Sequence, residues 1–190
     1  MTQEELIQEY AKCYKDTSYA IKTYLETYDN TKSKYVPFVL FPEQETMLNN
    51  FDDYNDNIVK KYRQAGVSTA TAAWVSKTLQ FASKARPEKI LIIANKLDTA
   101  SEFANKVRGF LNQWPDWISS GFSKEKDSQK HFKLNNGCEV KAVATSVDAL
   151  RGYTPTALIF DEAAYIEAGD DFWAACMASL STGGKVIVIS

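Results

Sequence analysis

Asn57-Ile58-Val59-Lys60-Lys61-Tyr62-Arg63-Gln64-Ala65-Gly66-Val67-Ser68-Thr69-Ala70-Thr71 is the stretch that decides the fold. A β-branched pair, Ile58-Val59, runs into a basic, polar turn with one glycine, Gly66. Two hydroxyls follow, Ser68 and Thr69, and then an alanine-rich segment of helical character. A strand that turns tightly into a helix aims several backbone N–H groups and the positive end of the helix dipole at one spot, where a phosphate can sit. That is the layout of a P-loop. The pattern G-x-x-x-x-G-K-[ST] is met only in part: Gly66 and Ser68 fit, while Lys61 stands in place of the first glycine and Val67 in place of the lysine. A glycine turn ahead of an amphipathic helix is also an ordinary strand-to-helix connection, so the loop alone does not identify a nucleotide site.

Downstream, residues 70–82 read as a helix packed on a sheet, and Pro87 breaks the chain. Lys89-Ile90-Leu91-Ile92-Ile93-Ala94 is a continuous apolar run, the mark of a strand buried on both faces of a parallel sheet. Residues 97–111 repeat Ala100, Phe103, Ala104, Val107 and Phe110 at helical spacing. A Trp-Pro-Asp-Trp turn at 114–117 and a charged loop at 124–130 follow. Asn135-Asn136-Gly137 between residues 131–134 and 138–144 signals a β-hairpin. Ala157-Leu158-Ile159-Phe160 is a second buried strand ending on Asp161-Glu162, residues 172–180 a short helix, and Lys185 to Ser190 a last strand. Upstream, residues 2–28 have the spacing of one amphipathic helix, 28–34 read as a polar loop, and a helix starts near Phe41 with Pro42 in its first turn. The fold class expected is therefore α/β, P-loop NTPase-type, with a mainly parallel sheet flanked by helices and one β-hairpin.

A length of 190 residues, 45% hydrophobic and 24% charged, suits one domain with a sizeable core. The formal net charge of −2 provides no global basic field, so any contact with nucleic acid has to come from a local patch. Six tyrosines between Tyr10 and Tyr35, interleaved with lysines, fit a stacking surface for nucleic acid, and fit half-buried helix faces better. Cys13, Cys138 and Cys176, odd in number and far apart, read as reduced thiols. A single histidine, His131, excludes histidine-rich zinc clusters, and its polar stretch makes it read as a surface strand residue. Without a signal-peptide pattern or a run of eighteen apolar residues, the chain is expected to be soluble, with no membrane partner.

Ligands of parallel α/β sheets bind at the carboxyl ends of the strands. One such end carries the candidate P-loop and another Asp161-Glu162. In a P-loop NTPase a loop hydroxyl, here Ser68, ligates Mg²⁺ and the strand-end acid, here Asp161, holds it, while the next acid, Glu162, polarises the attacking water. The phosphates then face Gln64, Ala65, Gly66, Val67, Ser68 and Thr69. Val67 cannot supply the cation that a triphosphate needs besides Mg²⁺; Arg63 or Lys61 can, and Arg63 has the fork that grips two oxygens.

Tyr62-Arg63-Gln64-Ala65-Gly66-Val67-Ser68-Thr69, Asp148-Ala149-Leu150-Arg151-Gly152 and Leu158-Ile159-Phe160-Asp161-Glu162-Ala163-Ala164-Tyr165-Ile166 resemble the ATPase domain of large terminase subunits, the DNA-packaging motors of tailed bacteriophages, over nearly the whole chain. The resemblance implies ATP and Mg²⁺ as cofactors. It gives Gln44, in Phe41-Pro42-Glu43-Gln44, the role of adenine reader, Arg63 that of the basic residue beginning the loop, and Arg151 that of an arginine finger. It further implies double-stranded DNA, a homo-oligomeric ring, a portal protein and a small terminase subunit as partners, in the cytoplasm of the host cell. Residues 1–56 would form the adenine-side helical segment and 57–190 the P-loop core. A complete large terminase continues into a coupling segment and a ribonuclease-H-like nuclease. The sequence holds neither, so it is expected to stop before the ATPase domain ends, and no DNA cleavage is expected of these residues. Two other readings stay open: a helicase-like DNA translocase, and a non-catalytic nucleotide-binding or interaction module.

Overall fold

The computed structural model describes residues 1–29, 31–62, 64–146, 152–167 and 169–190. Seven strands form one sheet in the order β3-β9-β8-β4-β7-β6-β5: β3 (Asp56–Val59), β9 (Lys185–Ile189), β8 (Ala157–Phe160), β4 (Lys89–Ala94), β7 (Glu139–Ala144), β6 (His131–Leu134) and β5 (Phe122–Ser128). The first five run parallel; β6 pairs antiparallel with β7, and β5 antiparallel with β6. Side chains alternate faces along a strand, so β4 sends Ile90, Ile92 and Ala94 into one core and Leu91 and Ile93 into another. The first core receives α4 (Val67–Phe81) and α5 (Leu97–Leu111); the second receives α6 (Asp170–Ser179) through Phe172 and Cys176. Helices on both faces are what the continuous apolar runs require.

Several expectations change in detail. The N-terminal segment is two helices, α1 (Gln3–Lys15) and α2 (Thr17–Tyr24), because Asp16 is extended and its carboxylate accepts from the Tyr19 N–H at 2.8 Å, capping a new helix. The supposed polar loop after it belongs to a hairpin, β1 (Glu26–Asp29) with β2 (Lys34–Pro37), paired Tyr28 to Tyr35. Of the six tyrosines, Tyr19 and Tyr24 are partly buried and share the Glu9 carboxylate, whereas Tyr10, Tyr14, Tyr28 and Tyr35 are exposed. Of the charged stretch 124–130 expected as a loop, residues 124–128 belong to β5, an edge strand whose Lys and Glu side chains face water, and only 129–130 form a turn. Near the other edge, Ile58 of β3 is 84% exposed, so this apolar residue lies outside either core.

The remaining elements follow the sequence. α3 (Pro42–Asp53) starts at Pro42, α5 spans residues 97–111, and β6 and β7 flank the Asn-Gly turn, where Gly137 has φ +92°. All three cysteines are free and buried. Among the described residues no helix is long and apolar enough to cross a membrane.

Candidate functional site

The site is built where β3 ends and α4 begins. Backbone pairing fixes the start of the loop, since Lys61 N–H donates to the Ser190 carbonyl at 2.7 Å and Ser190 N–H to the Val59 carbonyl at 2.9 Å. Gln64 and Gly66 both adopt the left-handed region, φ +64° and +68°, which turns the chain sharply into the helix. Gly66 is the N-cap of α4 and its carbonyl accepts from Ala70 N–H, so the first N–H groups of the helix are left facing the mouth of the sheet. Val67 is buried in the core beneath. The position where the common pattern has lysine therefore contributes backbone alone.

Gln44 buttresses the loop from behind. Its Oε1 accepts the Phe41 N–H at 3.0 Å and its Nε2 donates to the Ala65 carbonyl at 2.9 Å. It is buried, and the contacts use one of its two amide hydrogens and one of its two lone pairs.

The acidic strand end meets the loop from the far side of β9. β8 delivers Asp161, 6% exposed, to a cluster in which Ser68 Oγ donates to Asp161 Oδ1 at 2.9 Å and Glu162 N–H donates to the same oxygen at 3.1 Å. Lys61 completes it, its Nζ 2.8 Å from Ser68 Oγ and 3.3 Å from Asp161 Oδ1. Glu162 itself has φ +55°, unusual for a residue with a side chain, and opens a 3-10 turn at Ala163–Tyr165.

These groups surround a cleft of about 880 Å³. One wall is Lys61, Tyr62 and Gln64 to Thr69, another Glu162, Ala164 and Tyr165, and the third Asn95 and Lys96 just after β4 with Thr99 in the first turn of α5. Of the site residues named from sequence, Gln64, Ala65, Gly66, Val67, Ser68, Thr69 and Glu162 line the cleft, Asp161 touches Ser68 beneath it, and Gln44 sits behind the loop. Arg63 and Arg151 lie outside the described residues. Asn95, Lys96, Thr99 and Tyr165 are additions. The end of β4 carries the same strand-end signal as the other two, and its place next to β8 brings it to the cleft.

A hydroxyl and a carboxylate suit a hard cation that takes its other ligands from water and phosphate, which is how Mg²⁺ binds beside nucleotides. Among the described residues no group of three or more His, Cys, Asp or Glu could hold a metal by itself.

Residues 60–190 match the family model described as terminase large subunit, T4likevirus-type, N-terminal. This chain belongs to that terminase family. The large terminase of bacteriophage HK97 is similar over 93% of this chain, with a TM-score of 0.75 and 19% identity. The large terminase ATPase domain of Thermus phage P74-26 covers 76% of it at 22% identity and a TM-score of 0.55. The large terminase of a thermophilic bacteriophage, solved in complex with ADP, covers 78% at 14% identity and a TM-score of 0.57. At these identities the likeness is one of fold. The terminase chain spans 37% of the length of the HK97 protein and 63% of that of the Thermus phage domain.

Proposed function

We propose that this chain binds and hydrolyses ATP as the motor part of a phage large terminase subunit. The observation that carries the reading is the 2.9 Å contact between Ser68 of the loop helix and Asp161 of the neighbouring acidic strand end, with Glu162 on the wall of the same cleft. Family membership and the ADP complex of a protein with the same fold support it.

The backbone N–H groups from Gln64 to Thr69, at the positive end of α4, receive the phosphates. Arg63 and Lys61 bring the cationic charge that Val67 does not. Ser68 and Asp161 would hold Mg²⁺, which supplies charge neutralisation across the phosphate oxygens when bound. Glu162 orients a water for in-line attack on the γ-phosphate and takes up its proton. Gln44 keeps the loop in shape through Ala65, and its remaining amide hydrogen and lone pair serve the adenine edge. Arg151 serves as an arginine finger, within its own subunit or between neighbours of a homo-oligomeric ring, that stabilises the charge spreading over the transferred group.

On this reading residues 1–56 form the adenine side and 57–190 the P-loop core. The partners are double-stranded DNA, a portal protein and a small terminase subunit, in the host cytoplasm. Phosphate release by the purified chain, alone and with the remaining domains of the subunit, tests the assignment. Glu162→Gln is expected to retain ATP binding and lose at least about 100-fold in rate. An equal rate in that variant contradicts the role given to Glu162.

A further inference from the structure

We infer that Lys61 is a resident stand-in for the metal: its ammonium occupies the Ser68–Asp161 pair until a nucleotide arrives, and then moves to the phosphates. This rests on the reading of the cleft as a Mg²⁺-nucleotide site. Ser68 Oγ gives its only proton to Asp161 Oδ1 and accepts from Lys61 Nζ with a lone pair. That oxygen keeps a second lone pair, but a Mg²⁺ bound to it would bring two positive charges up against the ammonium on the same pair of side chains. The two cations therefore compete for one place.

Burial explains why the place is filled. The Asp161 side chain is 8% exposed, and a carboxylate taken out of water requires a counter-charge. Among the described residues, Asp161 Oδ1 gathers three donors, from Ser68, Lys61 and the Glu162 backbone, of which Lys61 carries charge. The Lys61 backbone is pinned to Ser190, so exchange needs only the side chain to swing. Since the same side chain lines the cleft, it is within the site whose phosphates it would meet. The device keeps free metal out of the loop until phosphates offer the lysine a better partner.

Mn²⁺ binding followed by electron paramagnetic resonance, without nucleotide, tests this on the 190-residue chain. Lys61→Met keeps the apolar stem and removes the ammonium. It is expected to bind Mn²⁺ about fivefold more tightly than wild type, and Lys61→Met/Asp161→Asn to lose the gain. Equal affinities of wild type and Lys61→Met, including no binding by either, overturn the proposal. A second measurement needs no variant. In the unliganded wild-type chain, Lys61 is expected to be acetylated several-fold more slowly than its exposed neighbour Lys60, and equal rates count against the parked ammonium. Titration with a fluorescent ADP analogue reads the underlying assignment separately. ADP binding with equal Mn²⁺ affinities defeats the stand-in alone, whereas absence of ADP binding defeats the nucleotide site.

Discussion

A Cβ added to Gly66 would lie 2.8 Å from Gln44 Nε2, so the bare backbone of the loop and the amide behind it are fitted to each other. The same amide nitrogen holds the Ala65 carbonyl. Gly66→Ala has to bear both a left-handed backbone, costing about 1–2 kcal/mol, and this collision. We expect a loss of about 2 kcal/mol or more in stability. In a Gln44→Ala background the collision is gone, so the same substitution is expected to cost about 1 kcal/mol less. Thermal or denaturant unfolding of the four proteins measures the coupling; strictly additive effects would show that the two residues are independent.

Glu162 presents the reverse case. Its φ of +55° places a side chain where glycine is at ease, beside the proposed chemistry. Glu162→Gly is expected to leave stability unchanged or raise it by up to about 1 kcal/mol, while phosphate release is lost. A clear drop in melting temperature would mean that the Glu162 side chain holds the fold rather than serves the cleft.

The framework was legible because burial wrote it in continuous apolar runs. Residues 89–94 and 157–160 announced strands covered on both faces, and the α5 helix emerged with its bounds from the repeat Ala100, Phe103, Ala104, Val107, Phe110. β5 was hidden because an edge strand shows water its charged residues, and Phe122-Ser123-Lys124-Glu125-Lys126-Asp127-Ser128 carries no buried stripe. The split at Asp16 was missed because one carboxylate interrupts an otherwise regular spacing. At the site, Ser68, Asp161 and Glu162 were readable as strand-end and loop residues. That Lys61 reaches the pair, and that Asn95, Lys96, Thr99 and Tyr165 close the cleft, depends on strand order and side-chain reach, which spacing along the chain does not encode.

Asn136 supports the hairpin from inside. It is 5% exposed; its Nδ2 donates to the Leu79 carbonyl of α4 at 2.8 Å and its Oδ1 accepts the Cys138 N–H at 3.1 Å. Asn136→Ala leaves two buried backbone groups without partners and is expected to cost about 1–3 kcal/mol, measured by urea denaturation. A change within about 0.5 kcal/mol, the range of neutral surface substitutions, would show that the turn holds without it.

Glu139 makes stability depend on acid. Burial alone raises its carboxyl pKa, but the hydrogen bonds and charges of Lys126, at 2.7 Å, and His131 outweigh this and bring it below the ordinary 4.5. A depressed folded-state value means that the contribution is present above 4.5 and is lost as pH falls below it through the folded value. The stability advantage of wild type over Glu139→Gln is therefore expected to shrink below pH 4.5, and a difference that stays constant on acidification would contradict the ionised cluster.

The loop between β3 and α4, facing Asp161 and Glu162, is the proposed nucleotide site. Calorimetric titration of the purified chain with ADP and Mg²⁺ tests it most directly. The expected result is one saturable site per chain, weakened about tenfold or more by Gly66→Ala, which corresponds to about 1.4 kcal/mol. No saturable binding by a folded chain, or the same affinity in wild type and Gly66→Ala, would contradict it.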